Sequence, residues 1–363
     1  MDTRIPLTAK FMALVFSLLL GVSSACGPQP AATGPSIPPA ATIPPPTSTP
    51  VPAAEPAAWK SLGPEKATVY DLVIDPQTPS TLYIAVEGGG VWKSTDAGGD
   101  WNPVVKGLTR VEVYALAMDP AAPSTLYAGT WPGRGAFKTT DSGGSWSESS
   151  VGMAITVLSL AVDPKTPSTV YAGTENGGVF KSTDGGGNWS KSGDGLRFPA
   201  SMVYVLAIDP AAPSTLYTGT MGGLFKSTDG GGKWEAAGAG MTGDRVLALA
   251  IDPLTPATLY AGTDGGGVFK SMDGGASWEA ANTGLTDMAV YALAVHPQTP
   301  STLYAGTQNG GVFKSTDAGA SWSQLNDGLT TIYVKVLVLD PQVPRALYAG
   351  TKGGGVFVIH DAR

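Results

Sequence analysis

The chain has 363 residues, with 22 basic against 29 acidic side chains and a formal charge of −7. Its 49 Gly and 30 Pro argue against a helical bundle, since both are poor in helix interiors, while 42% hydrophobic residues are enough to bury a core. One Cys and two His exclude a disulfide framework and most thiolate or imidazole metal sites, and the acidic balance is unsuited to nucleic acid, so neither metal nor cofactor is expected.

Residues 1–25 read as an export signal. Arg4 and Lys10 flank a basic start, and Phe11 to Val22 is an apolar run too short for a bilayer, which needs roughly 20 residues. Ser23, Ser24 and Ala25 then precede Cys26. This stretch resembles a bacterial lipobox, in which Cys26 is acylated and becomes the mature N-terminus, although Ser23 stands where Leu is usual. Ordinary cleavage after Ala25 is the alternative and would leave a lone thiol on an exported protein. Residues 26–57 follow as a Pro-rich tether, with eleven Pro among residues 27–57. Such a composition favours polyproline II, with a reach of roughly 96 Å when extended.

From residue 58 to 363 the chain repeats. The Asp-Pro position recurs at Asp75, Asp119, Asp163, Asp209, Asp252, His296 and Asp340, at steps of 44, 44, 46, 43, 44 and 44. Each unit holds four short β-prone runs broken by turn residues and has no helical period, which predicts an all-β propeller of seven four-stranded blades. The seventh unit has three runs only. Its missing fourth strand stands at the other end, where Trp59-Lys60-Ser61-Leu62-Gly63 matches Trp278 and its followers. A closed ring uses such a complement, because the N-terminal strand completes the last blade and removes the open sheet edges.

Ser94-x-Asp96-x-Gly98-x-x-Trp101 recurs around Asp141, Asp184, Asp229, Asp273 and Asp317. These six copies resemble the Asp-box, or BNR repeat, of sialidases and related propellers. The whole pattern is similar to bacterial propellers described as photosystem II assembly factor-like and, more distantly, to sortilin-type and xyloglucanase propellers. The resemblance implies a structural hairpin between third and fourth strands at each box. The residue chemistry agrees: a short carboxylate accepts turn N–H groups, Gly takes a positive φ and Trp packs the outer strand.

Comparing the copies separates two faces of the ring. The first–second and third–fourth turns keep constant length. The second–third hairpins and the links between blades vary, and variable loops on a rigid scaffold are where function usually sits. The candidate binding residues on that face are Glu87, Trp131, Arg134, Glu175, Asp264 and Lys352 on hairpins, and Arg110, Arg197, Phe198, Asp244 and Arg245 between blades. The insertion Trp131-Pro132-Gly133-Arg134 makes the longest hairpin and carries the one Trp outside the repeat pattern. Both chain ends of the propeller are expected on the constant face.

No catalytic residue is assigned. The arginines suit a sialidase-like carboxylate cluster, yet every Tyr sits on a repeat strand, and Trp131 alone is free to serve as a sugar platform. The expected function is therefore that of a non-catalytic, monomeric, cell-envelope lipoprotein that binds or scaffolds another protein through its variable face. A carbohydrate-binding or glycoside-hydrolysing propeller is the alternative. One further expectation concerns closure. Lys335 of blade seven breaks a Tyr/Leu position and Asp71 of blade one breaks a small-residue position, so the two charges are expected to pair across the closing seam.

Overall fold

A computed structural model describes residues 57–108, 112–242 and 245–360; residues 1–25, expected to be an export signal, Cys26, nearly all of the expected tether, Arg110 and Asp244 lie outside these. The described chain forms seven four-stranded antiparallel sheets, each wound in sequence order except the last. Blade 1 is Val69–Ile74, Leu82–Val86, Gly90–Ser94 and Asn102–Pro103, and blades 2 to 6 repeat it. Blade 7 takes Val334–Leu339, Ala346–Thr351 and Gly355–His360 from the end of the chain and its outermost strand, Lys60–Gly63, from the beginning. The pairing is antiparallel, with Lys60 opposite Val358 and Ser61 opposite Phe357. The protein is thus a seven-bladed all-β propeller closed by its N-terminal strand.

The burial pattern follows from this closure. Second strands such as Leu216–Thr220 are buried at every residue, because both faces of a middle strand meet a neighbouring blade. The core consists of layers between adjacent blades: Trp59, Leu337, Leu347 and Phe357 of blade 7 cluster with Ala292, Tyr304 and Val312 of blade 6.

Two devices tie each blade to the next. The first is the indole at the start of every fourth strand, whose Nε1 donates to a main-chain carbonyl of the preceding blade. Trp101 donates to Leu62 (3.0 Å), Trp146 to Val104 (2.8 Å), Trp189 to Ser149 (2.7 Å) and Trp234 to Ser192 (2.8 Å). Trp278, Trp322 and Trp59 do the same to Ala237, Ala281 and Leu325, each at 2.7 Å. Trp59 is 3% exposed and so acts as the seventh member of this set.

The second device joins the Tyr of the second strand and the Lys of the third. Lys138 Nζ lies over the Tyr127 ring, and both groups donate to the Gly185 carbonyl of the next blade, at 2.7 and 3.1 Å. The same carbonyl clamp recurs for Tyr171 and Lys181 on Gly230, Tyr217 and Lys226 on Gly274, and Tyr260 and Lys270 on Ala318. In blade 7 the lysine position is Val358, so the closing seam lacks the amine of this clamp.

The clamped carbonyl sits in the Ser-x-Asp-x-Gly hairpin. In blade 3, Ser182 Oγ donates to Asp184 Oδ1 (2.7 Å), the Gly186 N–H donates to Ser182 Oγ (2.8 Å) and the Asn188 N–H donates to Asp184 Oδ1 (2.9 Å). Gly186 has φ +86°, and a Cβ there would press on the Tyr127 ring of the preceding blade. These bonds hold the Asp184 carboxyl down at about 2, with the Asn188 main-chain bond the largest cause.

The opposite turn is equally regular. Asp75 Oδ1 accepts the N–H groups of Gln77 and Thr78, and the aspartates of five other blades make the same pair of bonds. His296 substitutes for the aspartate in blade 6 with its Nδ1, which accepts from Gln298 (3.3 Å) and Thr299 (3.0 Å).

The expected pairing of Asp71 with Lys335 does not occur. Each innermost strand carries a bulge near its start, between Val69 and Asp71 in blade 1. Beyond the bulge the Asp71 side chain reaches toward blade 2 rather than back to the seam. One oxygen accepts the N–H of Leu72 and the other that of Leu116, both at 2.8 Å. Lys335 instead places Nζ over aromatic rings, 5.1 Å from the centre of Tyr70 in blade 1, 5.2 Å from Tyr333 and 5.8 Å from Tyr291. The seam is crossed by a cation on a ring face, and the two charges satisfy themselves separately.

Candidate binding face

The innermost strands begin on the face that carries the variable loops. Their second residues, or third in blade 2, ring the mouth of the central channel: Tyr70, Tyr114, Leu158, Tyr204, Leu247, Tyr291 and Lys335. Tyr70 and Tyr114 stack at 4.5 Å between centroids, and Tyr291 meets Tyr333 edge-on at 5.1 Å. Below them lies a cavity of about 240 Å³ walled by the innermost strands. Burial pushes the Tyr70 and Tyr333 phenols up and the Lys335 ammonium down.

Five of the candidate residues gather around this mouth. The Tyr70 hydroxyl donates to Glu87 at 3.1 Å. Hydrogen bonds from Thr68 and Tyr70 hold the Glu87 carboxyl below the usual range, and Lys352 and Lys335 add to the effect. Lys352 Nζ stands 5.4 Å over the Tyr333 ring. Arg245 and Asp264 form an ion pair at 3.1 Å, which joins a link between blades to a hairpin. Burial pushes the Tyr114 phenol up, and the carboxylates of Glu112, Glu87 and Glu175 add to the shift. The mouth is therefore acidic over Tyr114 and of mixed charge from Arg245 round to Lys352.

The remaining candidates stand further out. Trp131 ends the strand Leu126–Trp131, opposite Glu112, and keeps 43% of its surface exposed; Arg134 is exposed beside it. The Gly133 N–H donates to Thr156 Oγ1 (3.1 Å), which pins this hairpin to blade 3. Arg197 and Phe198 protrude from the long link between blades 3 and 4, with Phe198 72% exposed. Neither Arg134 nor Arg197 forms an ion pair among the described residues.

Sequence reasoning passed over the tyrosine mouth. Tyr70, Tyr114, Tyr204 and Tyr291 lie on repeat strands, which by itself does not separate them from the buried Tyr of the second strands. The usable signal was that the position holds Tyr in some blades and Leu in others, whereas the buried Tyr of the second strand never varies.

Comparison with known proteins agrees with this architecture. Residues 222–361 match the family model described as "Sortilin, neurotensin receptor 3", which is less than half of the chain. No curated protein matches at the level searched. Among solved structures, the chain is similar to the GH74 enzyme of Niastella koreensis (TM-score 0.67, 21% identity, 83% of this chain and 53% of that one). It is also similar to the GH74 xyloglucanase of Xanthomonas campestris (0.69, 19%, 84% and 53%) and to YCF48 of Cyanidioschyzon merolae (0.63, 15%, 84% and 99%). The chain spans about half the length of the two GH74 enzymes, and identities this low speak for the fold alone. What they define is a seven-bladed propeller.

Proposed function

We propose that the protein is an exported propeller, lipid-anchored through Cys26, that binds or scaffolds another protein with its variable-loop face. The observation that supports this reading is that exposed Trp131 and exposed Arg134, which forms no ion pair among the described residues, share a hairpin pinned to blade 3. Both residue types are enriched at interface hot spots, and a fixed hairpin loses little entropy on binding. The Asp-box resemblance and the lipobox resemblance at Cys26 enter as part of the same reading.

Capture of envelope proteins on the immobilised propeller, identified by mass spectrometry, tests the reading. A specific partner retained by the native protein and lost with Trp131→Ala plus Arg134→Ala is the expected result. Equal retention by both removes the hairpin from the binding surface. Turnover of sialosides or β-glucans would favour the glycosidase alternative instead. Cys26→Ser is expected to move the protein from the membrane fraction to the soluble fraction.

A further inference from the structure

The channel mouth keeps opposite charges apart. Lys335 and Lys352 stand on tyrosine rings as the clamp lysines do, with Nζ 5.2 and 5.4 Å from the centre of Tyr333. Lys93, Lys138, Lys181, Lys226 and Lys270 each also donate to a main-chain carbonyl. Lys335 and Lys352 donate to no oxygen and form no ion pair among the described residues. Two blades away the sign reverses. Glu112 stands on the strand of Tyr114, and Glu175 follows the strand Val170–Thr174 of blade 3, where its N–H donates to the Thr156 carbonyl. Both carboxylates act on the Tyr114 phenol, and neither has an ion-pair or hydrogen-bond partner among the described residues. Between the two groups, Tyr70 and Glu87 are already joined by their hydrogen bond, and further round the mouth Arg245 and Asp264 neutralise each other. Lys335 Nζ lies 5.1 Å from the Tyr70 centre, and Tyr70 stacks on Tyr114 at 4.5 Å. A cationic station and an anionic station thus flank one pair of stacked rings.

We propose that the mouth binds a short peptide with free ends, its carboxylate on Lys335 and Lys352 and its ammonium on Glu112 and Glu175 beside Tyr114. The site takes a small ligand and does not rest on the protein-binding reading. Each end of such a peptide gains charge-assisted hydrogen bonds, and an aromatic face favours a cation beside it. Lys335 over Tyr70 shows that the rings of this mouth accept an ammonium. The ring contacts also hold Lys335 in place before a ligand arrives, which lowers the entropy lost on binding. A free amino acid carries both charges on one carbon and is too short to reach both sides of the Tyr70–Tyr114 stack, whereas a dipeptide spans it. The cavity of about 240 Å³ below, lined by Tyr70, Tyr114 and Lys335 among others, leaves room for a small side chain directed down the channel.

Calorimetric titration of the full-length protein with alanyl-alanine tests the site. Saturable binding is expected. The C-terminal amide, the N-acetyl form and free alanine should each bind about tenfold more weakly, the loss of one charge-assisted contact. Lys335→Leu, which copies blades 3 and 5, should weaken alanyl-alanine about tenfold and leave the affinity for the amide unchanged. Lys352→Gln, on an exposed hairpin, should act in the same way to a smaller extent. Glu112→Gln with Glu175→Gln should weaken alanyl-alanine about tenfold and leave the affinity for the N-acetyl form unchanged. This matching of each substitution to one blocked end separates a lost contact from a damaged ring, which would weaken every ligand alike. The proposal is overturned if alanyl-alanine does not bind saturably, or if the blocked forms or free alanine bind as tightly. It is equally overturned if none of the substitutions distinguishes a free end from a blocked one.

Discussion

Lys138 and Tyr127 converge on one oxygen, the Gly185 carbonyl of the neighbouring blade, with the ammonium 5.4 Å above the centre of the phenol ring. The carbonyl accepts two donors, and the ring face stabilises the cation that supplies one of them. This arrangement explains why Lys can sit on the third strand of a β-propeller without a carboxylate partner.

The clamp makes the ring sensitive to alkali. Burial pushes the phenols of Tyr127, Tyr171, Tyr217 and Tyr260 up to about 12. In the unfolded chain they titrate at about 10, so above that pH the unfolded state releases protons first. The contribution of these phenols should be constant up to about pH 10 and be lost between about 10 and 12. Tyr127→Phe should cost about 0.5–1.5 kcal/mol at pH 7 and lessen the alkaline fall. Urea unfolding at pH 7, 9 and 11 measures both; an unchanged alkaline slope in a Tyr127→Phe, Tyr171→Phe pair would remove the clamp from the account.

Closure should rest heavily on Trp59. Trp59→Ala removes a buried aromatic and the bond to Leu325, and is expected to cost about 3–5 kcal/mol. Trp59→Phe, which keeps most of the packing, should cost clearly less. A chain beginning at Pro64 should lose cooperative unfolding. Calorimetry of the three variants decides the matter, since a shortened chain that melts like the native one contradicts closure by this strand.

Asp71 gives a second pH window. Its folded pKa of about 6 lies above the unfolded value of about 3.9, so the native state holds the proton longer. Its contribution is therefore fully present below pH 3.9 and is lost as pH rises through 6, on the order of 2–3 kcal/mol. Other carboxylates, such as Asp184, act in the opposite sense at lower pH, so the comparison must be between variants. The difference in unfolding free energy between the native protein and Asp71→Ala should shift by that amount between pH 4 and pH 7. A constant difference would place the Asp71 carboxyl in open water.

At the turn of blade 6, His296→Asp should restore the acceptor used by every other blade. The imidazole Nδ1 makes longer bonds, 3.0 and 3.3 Å, than the 2.8 and 3.0 Å of Asp75. A stabilisation of about 0.5–1 kcal/mol is expected, read as a rise in Tm at pH 7. A fall in Tm would show that the imidazole has a further role at that position.

Much of the architecture was legible because the chain contains its own alignment. Seven copies expose a period, a missing strand and its complement at Trp59, and the closure follows from counting. What lay beyond counting were contacts between copies. Lys138 and Tyr127 belong to one blade, and nothing within that blade reveals a shared acceptor in the next. Asp71 and Lys335 were recognised as departures from the pattern and were then paired on charge alone. Their true partners are two main-chain N–H groups and a set of ring faces, which carry no formal charge and depend on a one-residue bulge. The tyrosine mouth went unread for a related reason: a tyrosine facing a channel and one buried between sheets look alike in a repeat strand.

The N-terminal strand also sets how the ring carries mechanical load. Trp59 is gripped by blade 6, through its N–H to the Asp327 carbonyl at 2.7 Å and its indole to Leu325, while the residues after it pair within blade 7. A pull arriving from the N-terminal side meets the blade 6 contacts before the Lys60–Gly63 pairing is stressed. Force is thereby spread over two blades at the point of entry, and the joint where the ring was closed is shielded by its neighbour.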